Sequence, residues 1–257
     1  MRSQHSGASL RESPNFNDRK PDVSLQYIVL HYTGSKKDSG EWIAAVCDPK
    51  VELSAHYLVK QSGQIIQLVD ESKRAWHAGK SYWRGITDMN SASIGIELSN
   101  PGHPHDYQPF PVAQIHALKN LIRDIVQRNN LDAALALLAH SDIAPTRKED
   151  PGELFPWQDL AQEGLGLWPE PEEQDYASFD DREAAVLLRA IGYDCPVDTF
   201  KDPIAQATLL AFQRRYHPQN LTGVADAETV ARLRALKALQ AARTATGSHA
   251  EGPRPAD

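Results

Sequence analysis

The sequence predicts an α/β or α+β domain followed by a small all-helical unit. Three observations predict this. Up to residue 98 the apolar residues fall in short runs rich in Tyr, Ile, Val and Leu, separated by turn signals. One long segment, residues 111–128, is apolar at three- and four-residue spacing. Beyond an acidic, proline-bearing stretch at 166–180, the remaining patterns are all helical.

The strand run Leu25 to Thr33 ends at Gly34. Residues 55–59 and 64–69 flank Ser62-Gly63 and read as a hairpin. Residues 93–98, SIGIEL, read as a further strand carrying one acid. The helix at about 111–128 places Val112, Ile115, Leu118, Ile122, Ile125 and Val126 on one face. Leu135 to Ala139 reads as a short buried strand or the end of a buried helix. Residues 141–156 read as a loop, with Pro145, Pro151, Gly152 and Pro156 as breakers. Helical patterns follow at about 181–191, 203–216 and 226–243. The expected organisation is a flexible N-terminus at 1–22, a main domain at 23–168, a linker at 169–180, a helical domain at 181–243 and a disordered tail at 244–257.

Bulk properties exclude some classes. A length of 257 residues with 41% apolar content suits one main domain plus a smaller one. The formal charge is −7 and no basic stripe is visible, which argues against a nucleic-acid partner. No apolar run approaches the roughly 18 residues of a membrane span. Cys47 and Cys195 stand far apart, outside any CxxC pattern, and are expected as free thiols. The first 22 residues are polar and lack the apolar stretch, about 7–15 residues long, of a signal peptide, so a cytoplasmic location is expected. Nothing calls for an obligate protein partner.

His31 and His140 each sit at the end of a predicted strand, and Asp150 lies in a loop stiffened by prolines. Two imidazoles and a carboxylate suit a catalytic Zn²⁺ with an open fourth position. By spacing alone, strand-end histidines of this kind are more often structural. Glu97 lies in an apolar strand, where a carboxylate must be paired, hydrogen-bonded or raised in pKa. It could serve as an acid/base group or sit in a structural ion pair. Lys148, two residues before Asp150, could stabilise an oxyanion or be a solvated loop lysine. Trp76, in the run Trp76-His77-Ala78-Gly79, is either a rim aromatic for a sugar or peptide or a core residue.

Together these segments resemble one family. The motifs are Val29-Leu30-His31-Tyr32-Thr33-Gly34, Ser54-Ala55-His56-Tyr57-Leu58-Val59, Ala75-Trp76-His77-Ala78-Gly79, Ser93-Ile94-Gly95-Ile96-Glu97-Leu98, Ala139-His140-Ser141-Asp142-Ile143-Ala144-Pro145 and Arg147-Lys148-Glu149-Asp150-Pro151-Gly152. In this order they resemble the zinc-dependent type 2 N-acetylmuramoyl-L-alanine amidases, the AmpD/AmiD group, from about Ser13 to Trp168. The resemblance implies a central mixed β-sheet flanked by helices, with one Zn²⁺ in a surface groove. It makes His31, His140 and Asp150 the ligands, Glu97 the catalytic acid/base and Lys148 the transition-state-stabilising residue. His56 and His77 fall in family motifs without being ligands there. With Tyr32, Trp76 and Asn90 they are the candidate substrate-binding residues.

Residues 181 to about 236 resemble, more loosely, the small three-helix peptidoglycan-binding domain often fused to such enzymes. The likeness rests on Ala211-Phe212-Gln213-Arg214-Arg215-Tyr216 and residues 222–229. A helical cap on the main domain is the other reading. The implied reaction is hydrolysis of the amide between N-acetylmuramic acid, or its 1,6-anhydro form, and L-alanine. A non-catalytic peptidoglycan sensor and a zinc hydrolase of another amide are the alternatives. The missing signal peptide favours soluble anhydro-muropeptides as partner, whereas the helical unit favours polymeric peptidoglycan.

Overall fold

The computed structural model describes residues 3–36, 39–197 and 202–247. Among these residues eight strands form: β1 (Ala8–Leu10), β2 (Phe16–Asp18), β3 (Tyr27–Tyr32), β4 (Tyr57–Val59), β5 (Ile65–Gln67), β6 (Lys73–Ala75), β7 (Ser93–Leu98) and β8 (Leu137–Ala139). Six make a mixed sheet in the order β1-β5-β4-β7-β3-β8, and β2 pairs with β6 in a two-stranded sheet. Strands β4, β7, β3 and β8 run parallel, while β5 returns antiparallel to β4 as the predicted hairpin. The central strands β3 and β7 are buried almost throughout. That is why they read as near-continuous apolar runs, as parallel strands covered on both faces do.

Alternation along these strands sends side chains to opposite faces. Ile28, Leu30, Ile94 and Ile96 pack with Leu118, Leu121, Ile122 and Ile125 of the long helix Val112–Asn129. Tyr27 and Val29 face the other way and join a core with the C-terminal helices. Helices α1 (Gly40–Val46), α2 (Met89–Ala92), α3 (Val112–Asn129), α4 (His140–Ile143) and α5 (Trp157–Gln162) belong to the sheet domain. Helices α6 (Asp181–Ile191), α7 (Pro203–Tyr216) and α8 (Ala227–Gly247) make the C-terminal unit. Asp180 and Asp202 cap α6 and α7 by accepting from the Glu183 and Ile204 amides.

Several local expectations are corrected. The N-terminal segment, expected to be flexible, supplies β1 and β2. Its polar side chains find backbone partners: Asn15 Nδ2 donates to the Val46, Asp48 and Leu53 carbonyls at 2.9–3.1 Å. The loop expected from Ser141 begins instead as helix α4, because the Asp142 carboxylate accepts the Ala139 amide at 2.8 Å. The acidic linker carries a 3-10 turn, Glu173–Tyr176, and Arg234 of α8 donates to the Asp175, Ala177 and Ser178 carbonyls. Helix α8 runs through residues 244–247 of the expected tail, and residues 248–257 lie outside the described residues. Cys47 and Cys195 are both free thiols. No helix among the described residues is long and apolar enough to cross a membrane.

The C-terminal unit is welded to the sheet domain. Asp142 is buried, and Arg215 of α7 pairs with it. Tyr193 donates to its other oxygen at 2.7 Å. Arg215 also donates to the Leu137 carbonyl at 2.9 Å and lies 4.1 Å over the Trp157 ring. A single apolar core runs from Tyr27, Val29 and Leu138 into α6, α7 and α8.

Candidate metal centre

The site sits at the C-terminal ends of three adjacent parallel strands, where open α/β sheets place their ligands. His31 and Glu97 are register partners on β3 and β7. Leu30 pairs with Ala139 on β8, so His140 follows directly as the first residue of α4. Both His31 and Glu97 project toward the face shared with the C-terminal unit. The Ser141 amide donates to the Asp150 carbonyl at 3.0 Å, which draws the proline-rich loop back to the strand ends.

Three buried donor atoms converge there. His31 Nδ1 lies 2.9 Å from His140 Nδ1, and Asp150 Oδ2 lies 3.2 Å and 3.0 Å from the two nitrogens. The far side of each ring fixes its tautomer. His140 Nε2 faces the Ala78 carbonyl at 3.1 Å, so its proton sits there and Nδ1 presents a lone pair. His31 Nε2 faces His77 Nδ1 at 3.0 Å. With the proton on Nε2, His31 donates to His77, and His77 Nε2 then faces Ser93 Oγ at 3.4 Å. Two imidazole lone pairs and a carboxylate oxygen then confront one another, an arrangement that repels unless a cation lies between them. Separations near 3 Å suit donors about 2 Å from a common centre. The donor set therefore fits Zn²⁺.

Electrostatics point the same way. Burial, then the charge of His140, lowers the His31 pKa to about 4, so the ring is neutral and able to ligate. Burial pushes the Asp150 carboxyl upward, but positive charge on its His140 and His31 side, which a bound cation would supply once both rings are neutral, holds it well below the usual carboxylate range. Glu97 is different. Burial, reinforced by Asp150, raises it well above the ordinary value, against the pull of Lys148. Its Oε2 is buried without a hydrogen-bond partner among the described residues.

These residues open onto a groove of about 610 Å³, within the roughly 300–1,000 Å³ typical of small-ligand sites. Tyr32, His77 and Lys148 line it beside the donors and Glu97. Burial, with Asp150 nearby, pushes the Tyr32 phenol up to about 12, and it meets His103 Nδ1 at 3.1 Å.

Other candidate residues are not brought to the groove. His56 is fully buried: Nδ1 accepts from the Gly95 amide at 2.9 Å and Nε2 donates to the Lys73 carbonyl at 3.0 Å. Asn90 Oδ1 accepts from the His77 and Ala78 amides at 3.0 and 2.7 Å and so shapes the loop from within. Trp76, expected at the rim, is turned toward β2, where its indole donates to Asn17 Oδ1 at 2.9 Å. The groove tryptophan is Trp42 of α1. Gly95 allows His77 to reach the site, since a Cβ there would meet the His77 ring at 2.4–2.7 Å. Sequence reasoning also missed Ala207, Leu210 and Arg214, which line the groove from α7. Their i, i+3, i+7 spacing was the available signal.

Comparison with known proteins agrees with this geometry. The N-acetylmuramoyl-L-alanine amidase family model (Amidase_2) matches residues 19–153. The N-acetylmuramoyl-L-alanine amidase AmiD of Escherichia coli (strain K12) is 41% identical over 233 residues, covering 82% of each chain. The 1,6-anhydro-N-acetylmuramyl-L-alanine amidase AmpD of the same organism is 34% identical over 167 residues, covering 59% of this chain and 88% of its own. The solved complex of E. coli AmiD with anhydro-N-acetylmuramic acid-L-Ala-D-γ-Glu-L-Lys superposes with a TM-score of 0.73 at 36% identity, covering 86% of this chain and 96% of that one. The chain therefore belongs to the N-acetylmuramoyl-L-alanine amidase family, as an AmiD/AmpD-like hydrolase built around a buried His-His-Asp site.

Proposed function

We propose that this chain hydrolyses the amide between the lactyl group of N-acetylmuramic acid, or its 1,6-anhydro form, and L-alanine, with one Zn²⁺ held by His31, His140 and Asp150. One observation carries the reading: buried Glu97, whose Oε2 has no hydrogen-bond partner among the described residues, lines the same open groove as three converging donors. Bound there, Zn²⁺ supplies Lewis-acid polarisation and lowers the pKa of water. Glu97 takes a proton from the attacking water and returns it to the departing L-alanine nitrogen. Its raised proton affinity suits both roles. Lys148, lining the same groove, faces the carbonyl oxygen as charge develops on it. Tyr32 stays protonated at the groove, its hydroxyl held against His103 Nδ1.

The test is to incubate the protein with anhydro-muropeptides and with intact sacculi, with and without a chelator, and to identify products by mass. Free peptide beginning with L-alanine, lost on chelation, is the expected result. Glu97→Ala is expected to bind zinc normally and release no peptide. Near-normal cleavage by that variant would remove Glu97 from the mechanism.

A further inference from the structure

The groove has one wall that the family match leaves unexplained. The match ends at residue 153, yet Ala207, Leu210 and Arg214 of α7 also line the groove. They form a stripe along one face of the helix, an alanine and a leucine with a cation at the end nearer Glu149. The Arg214 side chain is only 11% exposed, so its guanidinium is held in place by packing. Among the described residues its hydrogen-bond partner is the half-exposed Glu149 carboxylate, and that contact is long at 3.4 Å. A guanidinium carries five N–H donors in a rigid fork that matches a carboxylate. Most of that fork has no protein partner among the described residues, and Arg214 lines the groove. The chain as a whole carries −7, so an anionic substrate meets net repulsion and needs local cations to enter.

Resting on the function proposed above, we infer that Arg214 is a substrate-binding residue that takes a carboxylate of the peptide stem, with Ala207 and Leu210 packing beside it. A γ-linked glutamate leaves its α-carboxylate free, and the stem ends in a second carboxylate. Both offer the same chemistry. Glu149 occupies Arg214 until that carboxylate arrives and competes with it. The C-terminal unit thereby supplies part of the substrate site itself.

Steady-state kinetics on the full chain test this, using anhydro-muramyl tripeptide in three forms: unmodified, amidated at the glutamate α-carboxyl, and amidated at the C-terminus. The wild type is expected to show a lower KM for the unmodified form than for one of the amides, and that amide identifies the carboxylate. Arg214→Ala should raise KM for the unmodified form about tenfold or more, leave kcat within about twofold, and leave the discriminated amide unchanged. Arg214→Lys should recover only part of the preference. Glu149→Gln should lower KM for the unmodified form a few-fold, and this variant carries the test if Arg214→Ala melts early. Equal KM for all three substrates, or equal losses on all three in Arg214→Ala, overturns the inference while cleavage itself upholds the amidase reading. No cleavage of any form by the zinc-loaded wild type overturns both.

Discussion

Two pairs of histidines lie back to back under the sheet's C-terminal edge, and they differ in what their nitrogens face. His56 and His77 are as deeply buried as His31 and His140. Burial, then the charge of Arg19, lowers His56 to about 3, so it is as neutral as His31. Burial and proton affinity do not separate a ligand from a structural residue here. Partners do. His56 spends both nitrogens on the Gly95 amide and the Lys73 carbonyl. His31 and His140 each satisfy Nε2 internally and leave Nδ1 aimed at a shared point with Asp150. His77 joins its pair to the other, with Nδ1 3.0 Å from His31 Nε2 and its ring against Gly95.

The contrast is open to direct attack. The largest effect is expected from His140→Ala or Asp150→Ala. Loss of metal should cost several kcal/mol of transition-state stabilisation, about a thousandfold in rate or more, with zinc content falling well below one per chain. Glu97→Gln should come next, losing about 10²–10⁴-fold in kcat with zinc retained. His56→Ala should keep its zinc but lose about 3 kcal/mol in a urea melt, because two backbone groups lose their partner and a cavity opens. Zinc loss in that variant would erase the distinction between the pairs.

A pH series sharpens the same point. His56 is held neutral in the fold, with its pKa lowered to about 3. The unfolded chain takes up that proton near pH 6.5, so the stabilisation is complete above about 6.5 and is lost progressively as the pH falls toward 3. Stability should fall by up to about 1.4 kcal/mol per pH unit from this group, and His56→Gln should flatten the slope. The smallest effect concerns the tryptophans. Trp42→Ala should raise KM a few-fold by removing a groove wall, while Trp76→Ala should leave KM unchanged and lower the melting temperature.

The fold was largely legible because its central strands are buried on both faces and its helices carry strong periodicity. Residues 93–98 and 112–129 illustrate this. The N-terminal strands were not, because Asn15 and its neighbours are fixed by hydrogen bonds to distant carbonyls that no hydropathy pattern records. At the site, the strand-end positions of His31, His140 and Glu97 could be read locally, and the motifs around them gave their grouping. Trp76 could not be oriented, since an aromatic beside a glycine-bearing turn fits either side of a strand. Arg214 was hidden for another reason. Its adjacency to Glu149 spans 65 residues and exists only once α7 docks on the sheet domain.

That docking has a further cost. Asp142 lies two residues after His140 and is completely shut off from solvent, with Arg215 as its counter-charge. A shortened chain stopping before α6 would open to water both the Asp142 carboxylate, next to the turn that holds His140, and the apolar face of Tyr27, Val29 and Leu138 that the three helices cover. The front half is therefore no portable cassette. A chimaera that replaces the helical unit has to bring an arginine to the place of Arg215 and a hydroxyl to that of Tyr193, whatever else it is built to recognise.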